Sequence, residues 1–510
     1  MKEWESVATQ LCQQLEEPLA RLAVRRPPTW PGLIRQVGAL RLDFSRTHLS
    51  PDLWAAISPL WPAGGWRQAF ADMVSGAIVN ASEQRAALHT AARGFAVPEH
   101  DATGAAVAAP IAEADRLMQA TVERLRAPDS GYDAIVHLGM GGSYLGPALV
   151  LEALAPTCAR RFETRLAANI DPQAFRRAVA GLDPARTLVV AVSKSWTTLE
   201  TQANLQLAHD WLRAGGIADP GARTLAVTAR TDLAAADGVD ASRVLPFGEW
   251  VGGRYSLWSP VGVTIALTFG WDVFMALRAG GRIMDTHVAG DDMNAATLAA
   301  VSGYACAAAG AGSRAVFAYD ERLRLLVPYL QQLELESLGK RVTAEGLPYT
   351  GAPAPVIWGG VGTDGQHAVF QWLHQSSDWA PVDLIACAKP VGAGQEARHR
   401  TLLANALAQA SVLMHGRASP DDPVRAYPGN RPSTMILLET LTPESLGTLL
   451  AFYEHRTFAL ALLMGVNAFD QMGVELGKTL ATGMDRALAT GETSGLDAEA
   501  AALVGWLRTR

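Results

Sequence analysis

At 510 residues, 49% apolar and 18% charged, the chain has room for two or three domains with substantial cores. Its 50 acidic and 43 basic residues leave a net charge of −7, which argues against a general nucleic-acid binder and leaves room for a local basic pocket. Four scattered cysteines (Cys12, Cys158, Cys306 and Cys387) show no metal-site spacing and nothing that suggests a disulfide framework, so buried, reduced thiols are expected.

The N-terminus, Met1-Lys-Glu-Trp-Glu-Ser, carries acids and no apolar leader. Residues up to about Pro110 read as mainly helical and irregular, and 80–93 has a helix-cap signal in Asn80 or Ser82. Two long uncharged stretches, 255–271 and 293–313, lack the leucine-rich hydropathy of a membrane span and read as buried helices. A cytoplasmic protein without membrane segments is expected.

An α/β pattern begins near Asp133. The apolar strand 134–138 runs into Gly139-Met-Gly-Gly142-Ser143-Tyr-Leu-Gly-Pro147 and then a helix. Glycines open the backbone N–H groups to an anion at a positive helix start. Tyr144 stands where a dinucleotide fingerprint needs glycine, and the Gly-Lys-Ser/Thr end of a P-loop is absent, so a nucleotide is disfavoured. A tight turn without a ligand fits the same residues.

The next strand, 187–192, leads into Ser193-Lys194-Ser195-Trp196-Thr197-Thr198 and a helix ending at Gly215-Gly216. Thr197 and Glu200 have capping-box spacing, so the hydroxyls suit a cap. Four hydroxyls and one ammonium at a helix start also suit a phosphate dianion. With a further strand at 223–228, parallel strands joined by helices imply a three-layer α/β/α domain over 111–285. Gly252-Gly253-Arg254 then offers a permanently charged guanidinium beside a pliant backbone: either a surface arginine or a group that stabilises an oxyanion.

Strand candidates at 314–319, 356–358, 382–387 and 434–438 mark a second α/β pattern, assigned to 286–480. Between the first two, Leu326, Leu330 and Leu333 repeat at helical spacing and Gly339 stops the helix. Gln332 and Glu336 are four apart and share a flank, which places a carboxylate at the edge of an apolar stripe, where it can exchange a proton. His367 follows a glycine-rich loop at a helix start and fits either a structural role or proton transfer. Gln471, Glu475 and Lys478 recur at i, i+4 and i+7 of a last large helix; 481–510 reads as a linker and a docked helix.

Taken together and in this order, these stretches resemble the glucose-6-phosphate isomerase (phosphoglucose isomerase) family. The resemblance is carried by residues 139–147, 193–201, 252–258, 331–340, 365–368 and 469–478, with 80–93 and 429–433 similar too. It implies two sugar-isomerase (SIS-type) sandwich domains with mainly parallel sheets: a smaller one over 111–285 with the phosphate pocket, and a larger one over 286–480 with the catalytic Glu, His and Lys. It implies a 1–110 segment packed on the larger domain, and a homodimer with shared active sites. The implied reaction is the reversible conversion of glucose 6-phosphate to fructose 6-phosphate, used in glycolysis and gluconeogenesis, with no metal or organic cofactor.

By the same resemblance, Glu336 is the base that works through a cis-enediolate. Arg254 stabilises that enediolate, and Lys478 and His367 open the sugar ring, His367 coming from the neighbouring subunit. Gly142, Ser143, Ser193, Lys194, Ser195 and Thr198 match substrate-binding positions around the phosphate. Gln332 and Gln471 match sugar-contacting glutamines. The chain departs from the family at Leu338 (usually asparagine), Trp196 (phenylalanine), Met472 (tryptophan) and Gly360-Val361 (Glu-Pro).

Overall fold

Runs of Val, Ile, Leu and Ala that are apolar on both faces need cover on both faces, and they fold here as parallel strands between helices. The structure, a computed structural model, describes Trp30 and residues 32–510. The acidic N-terminal stretch and Cys12 lie outside the described residues. One unit ends at Phe469 and a second spans residues 470–510.

The first sheet contains β3 (Ala134–Gly139), β4 (Glu163–Ala167), β5 (Thr187–Val192), β6 (Thr224–Val227) and β7 (Val244–Leu245), all parallel, in the order β4-β3-β5-β6-β7. Ile135 joins one buried cluster while Val136 and Leu138 join another, so β3 separates two cores. The second sheet has the order β1-β2-β11-β10-β8-β9, where β1 is Ile34–Val37 and β2 is Leu40–Arg46, with β8 (Ser313–Tyr319), β9 (Val356–Val361), β10 (Val382–Cys387) and β11 (Ser433–Leu438) parallel. In each sheet the first strand of the series sits inside the second and beside the third, so the connections run outward in opposite directions from a switch point. The switch points lie between β3 and β5 and between β8 and β10. The α/β class with mainly parallel sheets is what the sequence predicts.

Three segments differ from expectation. Within the N-terminal stretch expected to be mainly helical, β1 (Ile34–Val37) and β2 (Leu40–Arg46) form an antiparallel hairpin whose second strand pairs antiparallel with β11. Leu40, Leu42 and Phe44 alternate into the core and fix that register. The stretch 80–93 is not a helix up to its last turn, His89–Ala92. Asn80 and Arg85 exchange backbone hydrogen bonds of 3.0 and 3.1 Å, and the Asn80 side chain donates to Glu83 and accepts from Asn467, so the expected cap residue is engaged elsewhere. The uncharged stretch 255–271 breaks into two 3-10 turns, Gly253–Trp258 and Pro260–Gly262, before the helix Val263–Phe269, because Ser259 caps the chain where Pro260 offers no N–H. The other uncharged stretch is a buried helix, Ala295–Ala308.

Cys306 and Cys387 are buried free thiols, and Cys158 is a half-buried one. In the second unit the helices Glu475–Thr490 and Ala498–Arg508 pack together. Among the described residues no helix is long and apolar enough to cross a membrane.

Candidate active site

A switch point in a parallel sheet leaves a crevice at the carboxyl ends of its central strands. In the first sheet Gly139 ends β3 opposite Val192, the end of β5, so the loops 140–143 and 193–198 emerge side by side. Gly141 has φ +55° and opens the helix Gly142–Leu154. A Cβ at Gly142 would fall 1.9 Å from the Gly253 carbonyl oxygen, so only glycine lets this helix start lie against the turn that carries Arg254.

The 193–198 loop is fastened from inside. Ser193 is buried, and its hydroxyl donates to the Thr198 hydroxyl at 3.1 Å. Thr198 is the cap residue of the helix Leu199–Ala214 without making a side-chain cap bond, so its hydroxyl is not occupied as a cap. Ser195 is exposed and accepts from the Thr197 hydroxyl at 2.8 Å. Trp196 adopts φ +54°, a left-handed backbone that its buried indole holds through a 2.7 Å bond to Asp237. The Lys194 ammonium donates to the carbonyls of Glu249 (2.7 Å) and Val251 (3.2 Å), tying this loop to the approach of Gly252-Gly253-Arg254. Burial lowers the Lys194 pKa, against the pull of the Glu249 carboxylate.

The helix Leu326–Leu338 crosses from the second sheet and packs against the helix Gly142–Leu154 and the Gly253–Trp258 turn. Its Glu336 carboxylate is half-buried between two donors. Arg254 Nη1 lies 3.3 Å from one oxygen and Gln332 Nε2 lies 3.1 Å from the other. Gln332 in turn sits over the backbone of Gly141, where an added Cβ would come within 2.7 Å of its amide nitrogen. The shared flank of Gln332 and Glu336 is therefore real, and it faces the glycine loop.

Arg254 is almost wholly buried. Its Nε donates to the Ser337 hydroxyl at 2.7 Å and its Nη2 to the Ala468 carbonyl at 2.6 Å. Tyr255 OH lies 3.1 Å from the same Ser337 oxygen, and burial pushes the Tyr255 phenol up to about 12, so it stays a hydroxyl. Sequence reasoning passed over Ser337. Its signal was a hydroxyl at core spacing, seven residues after Leu330 and four after Leu333, a place that demands a buried partner.

Two buried ionic networks hold these parts. Arg93 pairs with Asp285 and Glu454, the Trp258 indole donates to Glu454 at 2.7 Å, and His455 lies 2.6 Å from Asp285. Glu334, two residues before Glu336, accepts from Arg314 and, at 2.7 Å, from Arg456; Arg314 also pairs with Asp383.

Three further expected site residues belong to other elements. His367 is exposed in the helix Gly362–Gln375 that follows β9. Gln471 and Lys478 belong to the 470–510 unit. Lys478 is exposed and pairs with Glu475 at 2.8 Å on one helix. Gln471 is not on that helix and shares no helical face with them. The preceding helix Pro443–Met464 stops at Gly465, and the Asn467 side chain accepts from the Phe469 N–H at 2.9 Å, a local turn that keeps the chain from continuing as one helix. Among the described residues no three His, Cys, Asp or Glu side chains cluster as a metal site.

The arrangement puts a carboxylate beside a fixed guanidinium, next to a helix start with open backbone and a hydroxyl-rich loop. That is the equipment for moving a proton on an anionic substrate.

Comparison with known proteins agrees with this chemistry. The sequence model of the family described as phosphoglucose isomerase matches residues 43–504. Glucose-6-phosphate isomerase of Sphingopyxis alaskensis is 47% identical over 459 residues, covering 89% of each chain. The protein of that name from Rhizorhabdus wittichii is 45% identical over 471 residues, covering 92% of each. The crystal structure of a glucose-6-phosphate isomerase from Chlamydia trachomatis superposes with a TM-score of 0.84 at 29% identity, over 97% of this chain and 98% of that one. A match of this extent at the level of sequence and of fold shows that the chain belongs to the phosphoglucose isomerase family.

Proposed function

We infer that this chain interconverts glucose 6-phosphate and fructose 6-phosphate. The observation that supports this most directly is the Glu336 carboxylate with one oxygen toward Arg254 and the other toward Gln332, beside the Gly141-Gly142 turn. An aldose–ketose exchange needs one base that serves two neighbouring carbons, and a carboxylate has two oxygens to do so. Glu336 takes the proton from C2 and returns it at C1. Arg254 faces the enediolate oxygen, whose negative charge exists only between those two steps, so its stabilisation acts on the barrier.

The phosphate belongs between the Gly142-Ser143 helix start and the hydroxyls of Ser193, Ser195 and Thr198, with Lys194 adding charge behind the loop. Contacts remote from C1 and C2 orient the sugar. Gln332 and Gln471 contact it, and His367 and Lys478 open the ring. The exposure of His367 on its own subunit suits donation to a neighbour's site, so the proposal includes a homodimer with shared sites. It also assigns the phosphate pocket to the 111–285 sandwich and the base to the 286–480 sandwich, and it places the enzyme in the cytoplasm.

The test is a coupled assay. Purified protein should convert fructose 6-phosphate to glucose 6-phosphate without added metal and at the same rate in a chelator. Absence of turnover in a chain that binds the sugar phosphate would leave a binding protein instead.

A further inference from the structure

His137 is wholly buried on β3, a strand that otherwise reads as plain core. Its Nε2 lies 2.8 Å from the Ser143 carbonyl oxygen and its Nδ1 2.8 Å from the Thr264 hydroxyl. A carbonyl only accepts, so Nε2 carries the proton, Nδ1 accepts, and Thr264 donates. Burial holds the imidazole down to about 4, so it is neutral.

Ser143 is the second residue of the helix Gly142–Leu154, and its carbonyl should accept from the N–H four residues on. That residue is Pro147, which has none. The histidine donor fills the gap the proline leaves. Gly139 makes the approach possible: a Cβ there would fall 2.6 Å from the Ser143 carbonyl oxygen and 3.0 Å from His137 Nε2.

We propose that His137 is a positioning residue, holding the Ser143 carbonyl in place of the amide that Pro147 lacks and thereby fixing the helix start that receives the phosphate. This rests on the reading of residues 142–143 as part of the phosphate site. Pro147 leaves the first turn one bond short, and the strand beneath restores it from outside the helix. The loop is thereby fastened to the sheet rather than to its own helix, so its donors keep their aim as substrate enters and leaves.

The experiment compares His137→Asn, His137→Gln and His137→Asn with Pro147→Ala. Asparagine reaches the Nδ1 position and satisfies Thr264 but not Ser143; glutamine reaches the Nε2 position and can donate to Ser143. Wild-type and variants are assayed on fructose 6-phosphate and titrated with inorganic phosphate by calorimetry. His137→Asn should raise KM and the phosphate Kd about tenfold, as expected for one lost bond to a buried carbonyl, with kcat nearly unchanged. His137→Gln should stay near wild type. Pro147→Ala should restore KM and Kd in the Asn background, because alanine returns the missing N–H.

Unchanged KM and Kd in His137→Asn overturn the proposal, as does failure of Pro147→Ala to rescue it. If His137→Asn alone does not fold, the double variant decides: recovery supports the bond and continued loss refutes it. A wild-type chain without turnover would sink the isomerase reading and leave the phosphate titration to judge His137; a wild-type chain that binds no phosphate sinks both.

Discussion

Arg254 and Glu336 are 82 residues apart in the chain and 3.3 Å apart in the fold. The guanidinium is the more buried partner, at 2% side-chain exposure against 24%, and its other two nitrogens are fixed on Ser337 and Ala468. The pair is therefore a cation fixed at three points beside a less buried carboxylate. In the proposed reaction a carboxylate serving two carbons needs room to turn, and a cation facing one developing charge needs a fixed position.

Glu336→Gln keeps the shape and removes the proposed base. The variant should bind fructose 6-phosphate with a dissociation constant close to that of the wild type, while kcat falls by at least about 10²–10⁴-fold. Calorimetry for binding and the coupled assay for turnover separate the two. Normal turnover would take Glu336 out of the mechanism.

Ser337→Ala leaves Arg254 its charge but removes the acceptor for Nε and the partner of Tyr255. With the fork free to turn, kcat should fall about tenfold, in line with one lost bond to a charged group, while KM changes little. Arg254→Lys should cost more, about 10²-fold or beyond, because lysine's single nitrogen cannot reach the three separate positions that Nε, Nη1 and Nη2 hold. If Ser337→Ala and wild type share the same kcat, the serine does not aim the arginine.

Lys194→Met distinguishes a phosphate ligand from a tie. A side chain that only met phosphate would change KM alone when lost. Here the ammonium also binds the carbonyls of Glu249 and Val251, on the approach to Arg254. The variant should therefore raise KM and lower kcat together, each about tenfold. A pure KM effect would show that the link to the Arg254 turn carries no weight in catalysis.

The doubly buried strands were legible because an uninterrupted apolar run has few other fates; β5 and β10 match expectation residue for residue. The alternation of Leu40, Leu42 and Phe44 was equally present in the sequence, but a seven-residue strand is convincing only beside its partner, and β2 pairs with β11 near the other end of the chain. The site shows the same division. Glu336, Gln332 and Arg254 stand out by residue type and spacing, whereas the bonds that aim them (Ser337 to Arg254, Lys194 to two carbonyls) join distant segments and follow from tertiary packing. Gln471 shows a periodic pattern misread: spacing alone gave a shared face, and one asparagine turn ahead of it removes that face.

Acid should weaken the fold through its buried neutral histidines. His137 and His287 are each lowered from 6.5 to about 4, chiefly by burial, and His287 accepts an N–H from Ala295. Between those values the unfolded chain binds more protons than the folded one. Stability is thus complete above about pH 6.5 and is lost as pH falls toward 4, by up to ~3 kcal/mol for the fully buried His137. Glu454, raised to about 7 by burial, has the opposite slope, losing stability as pH rises from 4.5 to 7. Urea midpoints at pH 7, 5.5 and 4.5 should fall less steeply in His137→Gln, which cannot titrate. Parallel profiles in the two proteins would rule out His137 as a source of the acid loss.

Glu334 carries no chemistry in this scheme, yet it sits two residues from the base, wholly buried, with Arg314 and Arg456 on its two oxygens. Arg314 extends the network to Asp383 on β10, so the helix Leu326–Leu338 is bolted to the central strands of its own sheet at Glu334, while Gln332 and Glu336 on either side of it reach the loops of the other. A buried ion network of this kind specifies position more than it adds stability, but removing one member leaves uncompensated charge behind. Glu334→Leu should cost about 3–5 kcal/mol, read as a drop in urea midpoint, because two buried guanidiniums lose a shared counterion. The isosteric Glu334→Gln keeps one acceptor oxygen but turns an NH2 donor toward the other guanidinium; it should lose less stability than the leucine variant, and it loosens the ion pairs that set the helix's register. If register is what Glu334 provides, Glu334→Gln should lower kcat severalfold at temperatures where the protein is fully folded. A variant that is less stable but fully active would show that Glu336 finds its place through Arg254 and Gln332 alone.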